Sequence, residues 1–338
     1  HVSMVGFDAG AETERELDDK PVSAINADLT SVVDSTKAER LRENAGLCFM
    51  GPSPKAPFDI DASLAAQMLA APLNPNGRPN SDVVRPVASA IDLVQRSRNL
   101  WTIDFNLMVE EDAALYEMPF EYVKRHILPI RQGRRDDYRG QWWQYARPRP
   151  EMRRAIEGLP RFIATPAVAK HRIFVWMPSE VLCNQGTLVI ARDDDYFMGV
   201  LHARPHELWA LRLGTQLETR PRYTPTSTFE TFPFPADPSP DAVAAVAAAA
   251  RQLDELRAGW LNPPGLSPGE LAKRTLTSLY NSPPTWLTNA HQRLDRAVHA
   301  AYGWPHPLAD DEVLRRLLEM NLAAAREEKG ELAGTGAS

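Results

Sequence analysis

The stretch "FPFPADPSPD" at residues 232–241 divides the chain into two kinds of sequence. Before it, apolar residues come in short runs broken by proline, glycine and asparagine; after it they recur at helical spacing with little interruption. A short run of β-formers between turn residues reads as a strand, whereas apolar positions three and four apart read as one face of a helix. The expectation is α+β: a unit of short strands and helices, then a helical bundle, with this proline-rich stretch as the linker.

Within the first part, "HVSMVGFD" reads as a strand that begins without an initiator methionine. It predicts a fragment whose upstream part pairs with that strand. Residues up to about 45 read as a polar hairpin or flap, with Glu12 to Asp19 in a solvated loop. "GLCFMG" is a short apolar segment, a helix contains Ala65, Met68 and Leu69, and "DVVRPV" and "LWTIDF" are strand-like. "MVEEDAALYEM" and "PFEYVKRHILPI" are helical, the second with Pro119 in its first turn. "RFIATP", "RIFVWMP" and "TLVIARD" follow as strands, and "YFMGVLHARPHELWALRLG" as a helix interrupted or restarted at Pro205. Beyond the linker, helix starts are marked by Asp241, by Ser267 with Glu270 three residues later, by Thr285 and by Asp310 with Asp311. The tail "KGELAGTGAS" reads as disordered. These features divide the chain at 1–45, 46–235, 236–328 and 329–338.

Hydrophobic residues make up 43% and charged residues 24%, the mix of a soluble globular protein. No apolar run approaches the roughly 18 residues that cross a bilayer, and no signal pattern opens the chain, which predicts a cytoplasmic protein with no membrane contact. Cys48 and Cys183 lie far apart and read as buried thiols. The net charge of −6 is unevenly spread: residues 1–120 hold 10 basic and 19 acidic side chains, residues 121–235 hold 18 and 12, and residues 236–338 hold 10 and 13. A local basic face matters more for phosphate contact than the total.

Several motifs invite a catalytic reading. Asn262, Pro263 and Pro264 spell three letters of the Asn-Pro-Pro-aromatic tetrad that grips a flipped base, but Gly265 stands where the aromatic ring would stack. "NSPPTW" at 281–286 has Thr285 in that place and Trp286 one residue late. Both read as helix-stop punctuation. His202 and His206, four apart, could share a helix face as metal ligands do, yet no third ligand is evident; packing or phosphate contact is the simpler reading. Asp193, Asp194 and Asp195 could hold a divalent ion, and capping of the next helix accounts for them more simply. The expectation is no metal.

The strongest positive signal is the basic, aromatic stretch from 131 to 172. Arg131, Arg134, Arg135, Arg139, Arg147, Arg149, Arg153 and Arg154 surround Gln141, Trp142, Trp143 and Tyr145, and Lys170, His171 and Arg172 follow. Guanidinium forks suit phosphate oxygens and guanine edges, and indole rings can stack on bases. The plainer alternative is a solvated basic face over two core tryptophans. Thr224, Thr226, Ser227 and Thr228 offer hydroxyls for the DNA backbone or, equally well, a turn and a helix cap.

Four stretches taken together carry a resemblance: "NSDVVRPVASAIDLVQRSRNLWTIDF", "YRGQWWQYARPRPEMRRAIEGLPRFIATPAVAKHRIFVWMP", "DDDYFMGVLHARPHELWALRLGTQL" and "RYTPTSTFETFPFP". In order and spacing they resemble the target-recognition region of large class I adenine-N6 DNA methyltransferases of restriction-modification type, close to the MmeI-like group. "HVSMVGFD" is similar to a late strand of the Rossmann-like catalytic domain of these enzymes, so residues 1–45 would be its remnant edge, and the helices after 240 are similar to their carboxy-terminal part. The resemblance implies that the full-length enzyme moves a methyl group from S-adenosylmethionine to adenine. It implies that this chain, with double-stranded DNA and the missing N-terminal methyltransferase domain as partners, selects the sequence. The family's cofactor and base-flipping motifs match no position here, so no catalytic or cofactor residue is carried over. Two other readings stand beside it: an interaction module whose basic segment binds an acidic protein, and a metal enzyme built on Asp193–Asp195 with His202 and His206.

Overall fold

The computed structural model describes residues 14–17, 20–22, 25, 31, 33–133, 140–217 and 220–335. The strand expected over residues 1–8, and most of the flap, lie outside them. A short hairpin of β1 (Arg15–Leu17) and β2 (Lys20–Val22) is described. From residue 33 onward strands and helices mix as expected.

Local chemistry starts and stops the elements. β3 (Cys48–Met50) and β4 (Asp59–Ile60) precede helix α1 (Ala62–Leu69), which begins where the Asp61 carboxylate accepts from the Leu64 N–H at 2.9 Å. β5 (Val84–Ala88) enters α2 (Ala90–Val94) through a capping box between Ser89 and Asp92, and β6 (Trp101–Ile103) follows. Helices α3 (Glu110–Ala114), α4 (Glu117–His126), α5 (Leu128–Gln132) and α6 (Pro150–Ile156) wrap this region. Strands β7 (Arg161–Pro166), β8 (Val175–Pro178), β9 (Leu182–Cys183) and β10 (Thr187–Ile190) complete two sheets. Their orders are β3-β10-β7-β8, fully antiparallel, and β4-β6-β5-β9, in which β5 and β9 run parallel.

The first of these sheets is the middle layer. Along β7, Phe162 and Ala164 pack to one side and Ile163 to the other; along β10, Val189 takes the first side and Leu188 and Ile190 the second. A strand covered on both faces reads as an unbroken apolar run. On the first side lie Phe58, Ile103, Phe105, Trp142, Trp143 and Tyr145; on the second lie Phe174, Phe197, Met198, Tyr223 and Phe229.

The second side belongs to α7 (Asp195–His202) and α8 (Arg204–Leu213), which break at Ala203 just ahead of Pro205. They are followed by the hairpin β11 (Thr215–Leu217) and β12 (Arg220–Arg222). Then come α9 (Pro240–Leu261), α10 (Pro268–Lys273), α11 (Leu276–Asn281), α12 (Thr285–Ala301) and α13 (Asp310–Thr335). The Ser267–Glu270 capping box forms as expected. "SPGELAKRTLTSLYN" divides into two helices because Thr275 caps α11, accepting from the Ser278 N–H at 3.0 Å. The last helix reaches Thr335 rather than giving way to a loose tail after residue 328; only residues 336–338 of that tail lie outside the description.

The expected linker is in part a plug. Phe232 is fully buried and meets His206 and Phe234 edge to face at 4.8 and 4.9 Å, while Phe234 stacks on Phe197 at 4.4 Å. Pro233 and Pro235 favour extended backbone, so side chains two apart project to the same side. The chain emerges to solvent at Ala236 and Asp237. Val200 of α7 and Trp209 of α8 share one apolar cluster with Val246, Leu253, Leu294, Val298 and Leu317, and Val33 and Ile173 join it. Gly199 permits the contact, because a Cβ there would lie 2.7 Å from Val246 Cγ1. Composition changes at residue 236, but the core runs across it.

Candidate nucleic-acid interface

One end of the middle sheet gathers four segments: residues 51–57 after β3, 167–174 between β7 and β8, 184–186 ahead of β10, and the β11–β12 hairpin. Backbone bonds stitch them together. Gly51 N–H donates to Thr187 O at 3.1 Å, Ala167 N–H to Gly186 O at 2.9 Å, Tyr223 N–H to Ala167 O at 2.8 Å, and Ala169 N–H to Pro221 O at 3.3 Å. Ser53 and Arg147 exchange backbone bonds at 2.9 and 3.0 Å, which ties in the 140–149 loop, and the Ser53 hydroxyl bonds the Gln185 side chain. The approach at Gly51 requires glycine, since an added Cβ would sit 2.2 Å from Asn184 O.

This end is basic. Lys55, Arg147, Lys170, Arg220 and Arg222 are exposed on it and His171 is half-buried, and no carboxylate occurs among the described residues of these segments. Carboxylates collect at the opposite end, in Glu157, Glu180 and Asp193 to Asp195. A strand turns alternate side chains to one face, so Arg220 and Arg222 flank Pro221 on the same side of β12. A clustered cationic rim is an electrostatic footprint for a polyanion.

Residues 76–236 match the family model described as MmeI, target recognition domain. The central segment is thus similar to an MmeI-type target recognition domain. The chain is also 27% identical over 164 residues to DNA methyltransferase A of Bacillus subtilis (strain 168), an overlap of 47% of this chain and 17% of that protein. Its fold is similar, with TM-score 0.70 and 17% identity, to the type IIL restriction-modification enzyme MmeI solved in complex with DNA, over 91% of this chain and 39% of that one. The chain therefore spans well under half the length of either protein.

Within the target recognition domain, the fold separates the expected contact residues. Arg131 is fully buried and donates to Pro54 O at 2.7 Å and Gln144 O at 3.2 Å, so it holds loops together and cannot reach a phosphate. Trp142 and Trp143 are core side chains: Trp142 packs on Phe120 at 5.3 Å, and Trp143 Nε1 donates to Met108 O at 2.9 Å. Neither can stack on a base. Arg172 donates to Thr165 Oγ1 at 3.0 Å and Pro166 O at 2.5 Å and lies 4.9 Å over the Tyr223 ring, with burial pushing its pKa down to about 10. It pins the β7–β8 loop to the hairpin. Arg149 starts α6 with φ of 55° and pairs with Glu151 at 3.8 Å, which takes up its charge. Arg153 pairs with Asp104 at 2.6 Å. Thr224 Oγ1 bonds Ser227 Oγ at 2.5 Å, closing its own turn, while Thr226 is exposed. Gln141, Arg147, Lys170 and His171 remain available to a ligand; Arg134, Arg135 and Arg139 lie outside the described residues. Arg220, Arg222 and Gln185 are exposed at the same end and are not among the residues singled out in the sequence, although "RPRY" beside a turn carries the alternating signal.

The catalytic-looking motifs resolve into structure. His206 is fully buried; its Nδ1 donates to Leu201 O and its Nε2 accepts from the Tyr223 hydroxyl, each at 2.8 Å. Burial lowers its pKa to about 3. His202 Nε2 accepts from Phe174 N–H at 3.1 Å and Arg257 Nη1 at 3.0 Å, and burial with the adjacent guanidinium keeps it neutral. No group able to hold a metal occurs among the described residues. Asp194 caps α7, accepting from the Phe197 N–H at 2.8 Å, and Asp195 pairs with Arg161 and Arg251 at 2.9 and 3.0 Å. Asn262 ends α9 and accepts from Arg96 at 2.7 Å. Pro284 is the cap residue of α12. Cys48 and Cys183 are buried free thiols. No described helix is long and apolar enough to cross a membrane.

Proposed function

We propose that this chain docks on double-stranded DNA and reads its sequence for an adenine-N6 methyltransferase of a restriction-modification system. The observation that carries the reading is the cluster of basic side chains at one end of the middle sheet, on a segment that matches the MmeI target-recognition family. Arg147, Lys170, His171, Arg220 and Arg222 neutralise phosphates or meet base edges; Gln141, Gln185 and Thr226 add neutral donors and acceptors at the same end. The pinned loops present these groups in a fixed geometry, which lowers the ordering cost of binding.

S-adenosylmethionine belongs, in this proposal, to the full-length enzyme. The described residues hold no strand leading through a glycine-rich turn into a helix of the kind that cradles such a cofactor, so none is assigned to it. Methyl transfer is carried by polypeptide beyond these 338 residues, a reading supported by the small share of the matched proteins that the chain spans. A cytoplasmic setting fits a protein that acts on DNA. Titration of a labelled duplex at several salt concentrations tests the proposal. Binding that weakens steeply with salt, with log K falling by about 0.9 per phosphate contact for each decade of salt, supports it. Affinity that ignores salt, or methylation of the duplex by this chain alone, rejects it.

A further inference from the structure

Asn281 opens the second of the two Asn and Pro-Pro strings, and its side chain faces the recognition loop. Its Oδ1 accepts from Lys170 Nζ at 2.7 Å and from His171 Nε2 at 2.9 Å. The residue is the last of α11, which is firmly seated: Leu276 and Leu279 are buried in the helical core, and Tyr280 OH bonds His291 Nε2 of α12 at 2.9 Å. The same helix reaches the recognition domain again where Thr277 Oγ1 donates to Val94 O at 3.3 Å. Among the described residues, neither Lys170 nor His171 makes an ion pair.

We propose that Asn281 is a positioning residue for DNA contact: it holds Lys170 at the basic end as oriented, uncancelled positive charge, with the His171 ring oriented beside it. This rests on the DNA-recognition reading. An amide oxygen and a carboxylate oxygen of the same shape would hold the loop equally well, but they differ for a polyanion approaching from outside. The amide orients an ammonium and leaves its field intact, whereas a carboxylate spends that field on itself. A helical part that merely propped up the loop could use either; one that presents cations to phosphate needs the neutral acceptor. The position has a structural reason as well, since the prolines at 283 and 284 prevent α11 from continuing and leave its final side chain at the helix end beside the loop.

The test compares Asn281→Asp, Asn281→Ala and Lys170→Ala in the 338-residue chain by duplex titration across salt, with thermal unfolding as the check on folding. Asn281→Asp is expected to unfold like the parent yet bind roughly fivefold more weakly at low salt, with a salt slope shallower by about one, as for Lys170→Ala. In the Lys170→Ala background the aspartate adds little. Asn281→Ala keeps the parent slope and loses roughly two- to threefold in affinity, because the cation remains but is no longer held. Parent affinity and slope in Asn281→Asp would overturn the assignment, as would equal flattening of the slope by Asp and Ala. If the aspartate variant does not fold, Lys170→Gln removes the same charge from the other side of the bond, and an unchanged slope there is equally fatal. A parent chain that fails to bind duplex at low salt sinks the functional reading itself; a parent that binds while the variants behave identically sinks only the role of Asn281.

Discussion

Arg131 and Arg222 carry the same guanidinium into opposite surroundings. Arg131 is enclosed and bound to two carbonyls, so Arg131→Ala leaves buried acceptors unpaired and a void beside them. The expected cost is about 3 kcal/mol of folding free energy, measured by urea unfolding, and whatever folds should keep the parent salt slope. Arg222 stands exposed on β12, so Arg222→Ala should leave stability within about 0.5 kcal/mol and reduce duplex affinity roughly tenfold, with a slope shallower by about one. A stability loss in Arg222→Ala with unchanged binding would exclude that residue from the interface. Residue type was legible in the sequence; enclosure was not. The count of arginines around Trp142 and Trp143 singled out a basic segment, but three-dimensional closure decided that Arg131 and Arg172 serve the fold while Arg147 faces outward.

At the scale of elements, α7 and α8 couple the sheet to the helices through polar groups that tolerate one protonation state. His206 between Leu201 O and the Tyr223 hydroxyl must be neutral, and its pKa is lowered by burial to about 3 from an ordinary value near 6.5. A base with a depressed folded pKa binds fewer protons when folded, so its contribution is complete above about pH 6.5 and is lost as pH falls toward 3. His206 alone should remove about 2 kcal/mol between pH 7 and pH 5, and His291, lowered by burial and Arg257 to about 4, adds to the trend. Asp295, raised by burial to about 6, acts in the other direction and favours the folded state on acidification. Urea midpoints across that range should therefore fall with pH, and fall less steeply in His206→Gln; identical pH dependence in parent and variant would contradict the assignment. Gly199 gives a second element-level test. Gly199→Val drives a side chain into Val246 and Ala250 and should separate α7 from α9, costing about 3 kcal/mol or preventing folding, as read by circular dichroism. Strand and helix types were readable here because β7 and β10 are unbroken apolar runs and the capping boxes are local. The break at Thr275 was missed, because a threonine mid-pattern declares itself a cap only once its hydroxyl is seen on the Ser278 N–H.

For the molecule as a whole, composition and packing disagree about where one part ends. Alanine-rich helices begin at residue 240, yet Val200, Trp209 and Phe232 from the earlier part complete the same apolar cluster. A chain stopped near residue 238 would expose that surface, and it should appear as an aggregating or molten species rather than a folded recognition domain. Sequence periodicity reports which face of an element is apolar, and it does not report which distant element covers that face. The few accessible residues after Phe234 carry one more implication. If the backbone were cut at the exposed Asp237, the aromatic plug on one side of the cut and α9 on the other would stay embedded in a common interior. The two pieces would migrate apart on a denaturing gel and elute together from a sizing column, as halves that complement each other without a peptide bond between them.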